Sequence, residues 1–481
     1  MMDKNHLPER KVLARAITYK DYIGLALGSM IGIGWVIVAG NWLIKGGPLG
    51  AILAFMCGGL LLIAVGKCYA ELTPALPLAG GALAFSYKAF GNFPSFLTAW
   101  FLAFAYICIC PFETVSIGWL FEYAFPELKS APLYTVGGYS ICLSSIIPGL
   151  AIGLLTIALN YFGIKFSALF QTVSTALMFL CAVGFTVAAF TKGSFSNMQP
   201  LFAHQGDWTA VPLSVIAVLG IVPFFMSGFD TIPQAAEESG LKVDPKDLGK
   251  AVIVSIFVGA LFYIVIIIDL SICLPWQEVT GFDMPIAEVF RRVFGNEWIT
   301  RLVLFTAFLG LITSLNGFFI TSTRILFSAG RGGLLPKWFA EIDKKHHTPK
   351  NAIWFVGFLS LVGPFIGRSA ILPICNVSSL AFVGGWFMTC LAAIRLRKTA
   401  PNLNRPYKVK NISTLYIGAI IGATMILLLI VPGSSTQLAW PLEYLILATW
   451  LVLGFAGFFL RQKAKDMTKD QRDYQILGDY R

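Results

Sequence analysis

The sequence predicts an all-α polytopic membrane protein of twelve transmembrane helices, and three observations predict it: an apolar composition, twelve apolar segments of bilayer length, and interruptions inside two of them. Of 481 residues, 57% are hydrophobic and 13% charged, with a mean hydropathy of +0.74. A soluble domain carries about 25% charged residues, so this composition belongs in lipid. The net charge of +11 does not point to nucleic acid, because the basic residues cluster between apolar segments, where the positive-inside rule expects them.

A helix crossing the hydrocarbon needs about 20 mostly apolar residues. On that measure the first five spans are Asp21 to Gly40, Gly50 to Ala70, Phe96 to Phe121, Ser140 to Tyr161 and Ser167 to Phe190. The next five are Val211 to Phe229, Ala251 to Leu274, Trp298 to Ile320, Ala352 to Ile366 and Ile371 to Ile394, and the last two are Leu415 to Val431 and Leu442 to Leu460. Lys4, Arg10, Lys11, Arg15 and Lys20 precede span one, and six basic residues from Arg324 to Lys350 separate spans eight and nine. Arg395, Arg397, Lys398, Arg405, Lys408 and Lys410 follow span ten, and Arg461, Lys463 and Lys465 follow span twelve. With an even number of spans these fall on one side, which predicts both termini in the cytoplasm of a cell-membrane protein. The loop holding Glu278, Asp283, Glu288, Arg291, Arg292, Glu297 and Arg301 is mixed in sign and is expected outside.

Span one contains Gly28, Gly32 and Gly34, and each glycine costs roughly 1 kcal/mol of helix stability relative to alanine. Backbone groups freed inside hydrocarbon cost several kcal/mol unless they find a partner, so such a break survives where a ligand or ion satisfies it. Span six carries a second interruption at Pro223 to Asp230, where proline removes a donor and Ser227-Gly228 weakens the next turn. Breaks five spans apart suit two inverted repeats with a site at their interface. The alternative for Gly28 and Gly32 is close helix packing through small residues four apart.

The expected organisation is therefore a cytoplasmic segment 1–20, a first repeat 21–190, a second repeat 211–396, spans eleven and twelve at 411–460, and a cytoplasmic tail 461–481. The nine cysteines sit in or beside apolar segments and read as small hydrophobes. His6, His204, His346 and His347 fall in loops, which argues against a histidine metal centre. No cofactor is implied. Nucleophile, histidine and metal constellations of an enzyme are missing, and no large soluble domain suggests a receptor.

Several motifs occur in order: Ile31-Gly32-Ile33-Gly34, Tyr69-Ala70-Glu71-Leu72 with Pro77-Leu78-Ala79-Gly80-Gly81, Ala158-Leu159-Asn160-Tyr161 with Gly163-Ile164-Lys165, Gly228-Phe229-Asp230 with Glu237-Glu238, and Ser322-Thr323-Arg324 with Leu334-Leu335-Pro336. Together, and with Pro401, Arg405, Pro406 and Tyr407 after span ten, they resemble the amino acid-polyamine-organocation (APC) superfamily of permeases. The resemblance implies a LeuT-type fold, with a five-plus-five inverted repeat and broken helices one and six, and alternating-access transport of an amino acid or related amine. Polyamine transport, amino acid exchange and a receptor without transport are the alternatives.

The resemblance also implies a site. It points to Ile31, Gly32, Ile33 and Gly34 for the substrate carboxylate, and to Phe225, Met226 and Ser227 for its ammonium, with Trp35, Phe224 and Phe229 as gates. Free amides at a half-helix N-terminus suit an anion and loose carbonyls suit a cation. Glu113, mid-way along span three, must be protonated, paired or facing an aqueous cavity. It either holds a substrate ammonium, carries a coupled proton as in a symporter, or hydrogen-bonds to a neighbouring helix. Asp269 is expected to be solvated or structural, and Glu71, Lys165, Glu237, Glu238 and Arg324 to be gate or fold contacts. Some proton-coupled relatives place a lysine in span five where this chain has Met178. Thr313 and Ser314, with Gly310, Gly28 and Ile31, offer instead a set of oxygens for Na+. Thr313 and Ser314 otherwise bond back to their own helix.

Overall fold

The computed structural model describes residues 9–206, 209–279, 281–282, 284–367, 369, 371–434, 437–463 and 467–481. Lys4, His6, Asp283 and Lys465 lie outside the described residues. Each of the twelve predicted segments lies wholly or mostly on helix. Among the described residues nine helices are long and apolar enough to cross a membrane, and Ala210–Leu219 and Lys350–Ile366 are shorter apolar helices. The chain is a multi-pass membrane protein.

Helix Glu297–Arg331, on span eight, runs through the middle of the bundle and is buried without interruption from Leu309 to Arg331. Helices Ser413–Ile430 and Leu442–Lys463 sit at the periphery and expose Ile420, Leu427, Val452, Leu453 and Phe459. Such a face is costly in water and natural against acyl chains.

Apolarity locates the spans but misplaces their ends. Span eight continues past Ile320 to Arg331 because its charged last turns find partners: Arg324 with Glu238 at 2.8 Å and Arg331 with Glu237 at 2.8 Å. Between spans one and two a loop shrinks to a bend inside helix Gly34–Ala75, made by Gly47 at φ 69°. A Cβ there would stand 2.6 Å from the amide nitrogen of Ala203, so only glycine fits. Helices Gly81–Phe90, Pro285–Phe294 and Lys469–Leu477 occupy stretches with no predicted element, and a hairpin pairing Pro132–Val136 with Tyr139–Cys142 takes the first three residues expected of span four, whose helix starts at Leu143.

The two terminal segments meet at one end of the bundle, where Arg10 Nε donates to the Gln475 carbonyl at 3.4 Å. That terminal end is also where the buried ion pairs gather. Glu237 takes Arg331 at 2.8 Å and Arg10 at 2.9 Å, and accepts from the Ala79 amide at 2.9 Å. Glu71 takes Arg397 and Arg405 and accepts from the Val409 amide, tying span two to the loop after span ten.

Candidate substrate site

The break in span one is real in the backbone. Helix Tyr19–Met30 ends at Ile31 (φ −103°, ψ 77°), and a new helix begins at Gly34. The first amides of that new helix have no partner further back in it, and they carry the positive end of its dipole. At the other side of the break the Met30 carbonyl accepts from the Tyr263 hydroxyl at 2.8 Å.

Span six is broken more thoroughly, into Ala210–Leu219, Val222–Phe225 and Thr231–Gln234. Gly228, at φ 135°, turns the chain, and a Cβ on it would stand 2.7 Å from the Met30 amide nitrogen. The two breaks therefore touch.

A small cavity of about 30 Å³ opens at that meeting point. It is lined by Ser29, Met30, Gly32 and Gly34 of span one, Ile109, Phe112 and Glu113 of span three, Phe224, Phe225 and Ser227 of span six, Tyr263 of span seven, and Ser314 and Phe318 of span eight. This volume holds about one water. As it stands it is too small for an amino acid. Larger hollows, of about 690 Å³ beside Phe305 and 540 Å³ beside Arg10, contain none of the residues singled out from the sequence for binding.

Glu113 is 2% exposed, and its Oε2 has no hydrogen-bond partner. Its Oε1 lies against the Cα of Gly32, so that a Cβ on Gly32 would run into it and would stand 3.1 Å from Ser314 Oγ. Among the described residues no ion pair involves Glu113. Carboxylate, backbone break and hydroxyl thus converge on one point.

The structure brings together Gly32, Gly34, Glu113, Phe224, Phe225, Ser227 and Ser314. Ile31, Ile33 and Met226 are fully buried and present no side chain to the cavity. Two expected gates lie elsewhere. Trp35 stacks on Phe185 at 5.6 Å between spans five and seven, because the helical turn after Gly34 points it away from the break. Phe229 packs between Tyr69 at 5.7 Å and Trp386 at 5.2 Å, beyond the turn at Gly228. Asp269 is not solvated: it is 1% exposed and accepts from Thr186 at 2.6 Å.

The junction of spans one, five and eight is filled by an amide network. Gln171 Nε2 donates to the carbonyls of Thr313 at 2.9 Å and Gly24 at 3.4 Å, while Asn316 Nδ2 donates to Gln171 Oε1 at 2.9 Å. Asn160 and Ser167 complete it on Asn316 Oδ1. Gln171 Nε2 and Thr175 Oγ1 crowd the Cα of Gly28, and Thr313 Oγ1 donates to Leu309 at 2.8 Å and Gly310 at 3.1 Å within its own helix. Gly310 lies flat on the carbonyls of Ile31 and Gly32. Beside Gly28 the Gln171 amide nitrogen stands among these oxygens, and the Thr313 hydroxyl is engaged within its own helix.

Sequence reasoning missed Tyr263, Ile109, Phe112 and Phe318 as cavity wall, and Asp230 as a contact centre. The first four are ordinary apolar-span residues with no local signal. Asp230 was visible, a lone acid just past an interrupted apolar segment.

Two broken helices meeting over a buried acid inside a multi-pass bundle define a membrane permease. The chain belongs to the amino acid permease family of the APC superfamily, whose model matches residues 17–453. It is 27% identical over 462 residues to the branched-chain amino acid permease BcaP of Bacillus subtilis, covering 94% of this chain and 93% of that one. It is 27% identical to the chloroplastic cationic amino acid transporter 7 of Arabidopsis thaliana, over 92% of this chain and 73% of that one. To the aspartate-proton symporter of Bacillus subtilis it is 24% identical, over 83% of this chain and 76% of that one.

Proposed function

We propose that this protein is a secondary active transporter that moves an amino acid with an apolar side chain across the cell membrane, together with a proton, by alternating access. Spans one to five and six to ten form the two inverted repeats, and the terminal end faces the cytoplasm. The observation that carries the reading is the buried Glu113, its Oε1 on the break at Gly32 and its Oε2 without a partner, in a cavity whose remaining wall is aromatic and aliphatic apart from Ser29, Ser227 and Ser314.

The substrate's carboxylate lies on the amides at Gly32, Ile33 and Gly34, and its ammonium against carbonyls of the two breaks, including Phe225 and Met226. Its side chain faces Ile109, Phe112, Phe224, Phe225 and Phe318. An ionised carboxylate at mid-membrane costs roughly 3 kcal/mol on insertion scales, and Glu113 has no cation to offset it. Glu113 is protonated before the substrate enters, keeps its proton while both cross, and gives it up to water on the far side as the ammonium leaves. The similarity to a branched-chain permease and to a proton symporter supports both parts. The Gln171 amide, which already donates to the carbonyls of Thr313 and Gly24 at this junction, supports coupling without sodium.

Glu113 supports a second reading, in which it pairs with the side chain of a cationic amino acid. Counterflow in proteoliposomes separates them: labelled L-leucine accumulates against unlabelled L-leucine, faster with an inward proton gradient. Preferential accumulation of L-arginine establishes the second reading. No saturable uptake of any amino acid or polyamine refutes both and leaves a sensor.

A further inference from the structure

Asp230 stands outside the cavity and outside the ion pairs of the terminal end, yet it is fully buried and touches three spans. Its Oδ1 accepts from the Gly228 amide at 3.0 Å, which satisfies a donor freed by the turn in span six. Its Oδ2 accepts from the Tyr106 hydroxyl of span three at 2.8 Å and from Trp386 Nε1 of span ten at 2.9 Å. One carboxylate therefore both completes the break and fastens it to two other helices.

Its surroundings lie between the two places that must communicate. Three residues before it, Ser227 lines the cavity, and the Tyr106 ring stacks at 6.0 Å on Phe318, also of the cavity wall. Following it, Thr231–Gln234 leads straight to Glu237 and Glu238, the acids that close the terminal end against Arg331 and Arg324. Alternating access rocks one bundle against another around the site, so a bond from span six to span three is remade whenever the two halves move.

We propose that Asp230 is a positioning residue for transport: its contacts with Gly228, Tyr106 and Trp386 hold the segment from Gly228 to Glu238 in register with spans three and ten, so that a change at the cavity reaches the ion pairs of the terminal end. The proposal rests on the transport reading. Tyr106→Phe removes the donor to Asp230 together with the acceptor of Gln234 Nε2, and Trp386→Phe removes the Nε1 donor together with part of a buried ring, so the effect common to both variants and Asp230→Asn is the one that reports on the carboxylate.

The test is made on the full chain. Hydrogen–deuterium exchange is followed across 228–238, and L-leucine counterflow and binding are measured for Tyr106→Phe, Trp386→Phe, their double variant and Asp230→Asn. The expected result is about fivefold or faster exchange in 228–238, with helix Gly81–Phe90 unchanged, in both single variants. Turnover is expected to fall about fivefold or more with half-saturation within about threefold, and the double variant to fall no further than Asp230→Asn, as members of one unit do. Parental exchange rates in both single variants overturn the proposal, as does equal loss of binding and turnover, or a loss of protection spread over the whole chain. If the parent itself fails to exchange L-leucine, the substrate reading fails, while the exchange measurement still decides the clamp.

Discussion

Glu113 of span three rests its Oε1 on the Cα of Gly32, in the unwound stretch of span one, with no room between them for a Cβ. The glycine is required by this contact rather than by its own dihedral angles. Its role is to let an acid approach a broken backbone, so the acid and the freed amides share one small volume.

Gly32→Ala is expected to push Glu113 and Ser314 away from the break and to weaken L-leucine binding about tenfold or more, some 1.4 kcal/mol, while the protein still reaches the membrane. Gly34→Leu should abolish binding, because its Cβ already runs into the Phe225 ring. Binding to purified variants measures both, and near-parental affinity in either removes the carboxylate from this break.

Glu113→Gln keeps the volume and removes the titration. Uptake by the parent should rise as the outside pH falls from 7.5 to 5.5, whereas the variant should be flat across that range and retain exchange of preloaded substrate. A variant whose pH profile matches the parent makes Glu113 structural. Selective loss of L-arginine over L-leucine moves it to the side-chain pocket.

The Gln171 network predicts indifference to sodium. Replacing sodium by choline at fixed pH should leave uptake within about twofold, and the Thr313→Ala, Ser314→Ala double variant should behave alike in both media. Gln171→Ala is expected to destabilise by roughly 1–3 kcal/mol, since it strands the buried Asn316 amide that donates to Gln171 Oε1. Sodium-stimulated uptake that the double variant loses would restore the cation site.

The spans and their breaks were legible in the sequence because both are local: apolar length marks the first, glycine and proline inside that length mark the second. Gly32, Gly34, Glu113 and Phe225, which meet at the cavity, stood out in the sequence for the same reason, each being a misfit in its own helix or next to one. Trp35 and Phe229 stand away from the cavity because their direction depends on the turn restarted after each break, and nothing near span seven's Tyr263 in the chain announces that it reaches Met30. The sodium set looked complete as a list of oxygens. Only the fold shows that an amide from span five arrives among them.

The last prediction concerns Glu237 at the terminal end. Burial alone would raise its pKa, but the guanidinium groups of Arg331 and Arg10 and the Ala79 amide outweigh burial and hold it at about 2, below its usual 4.5. A carboxyl depressed on folding stabilises the fold above its unfolded pKa, and that contribution is lost as pH falls through the folded value. The pair should therefore contribute in full at pH 7 and at pH 5, and fade only between about 4.5 and 2. Glu237→Gln leaves Arg331 buried beside a neutral amide, a change that costs roughly 3–5 kcal/mol when a buried pair is broken. Thermal melting of parent and variant in detergent should show a gap of equal size at pH 7 and pH 5. A gap that closes already between those two values would mean that Glu237 is not held ionised by Arg331 and Arg10.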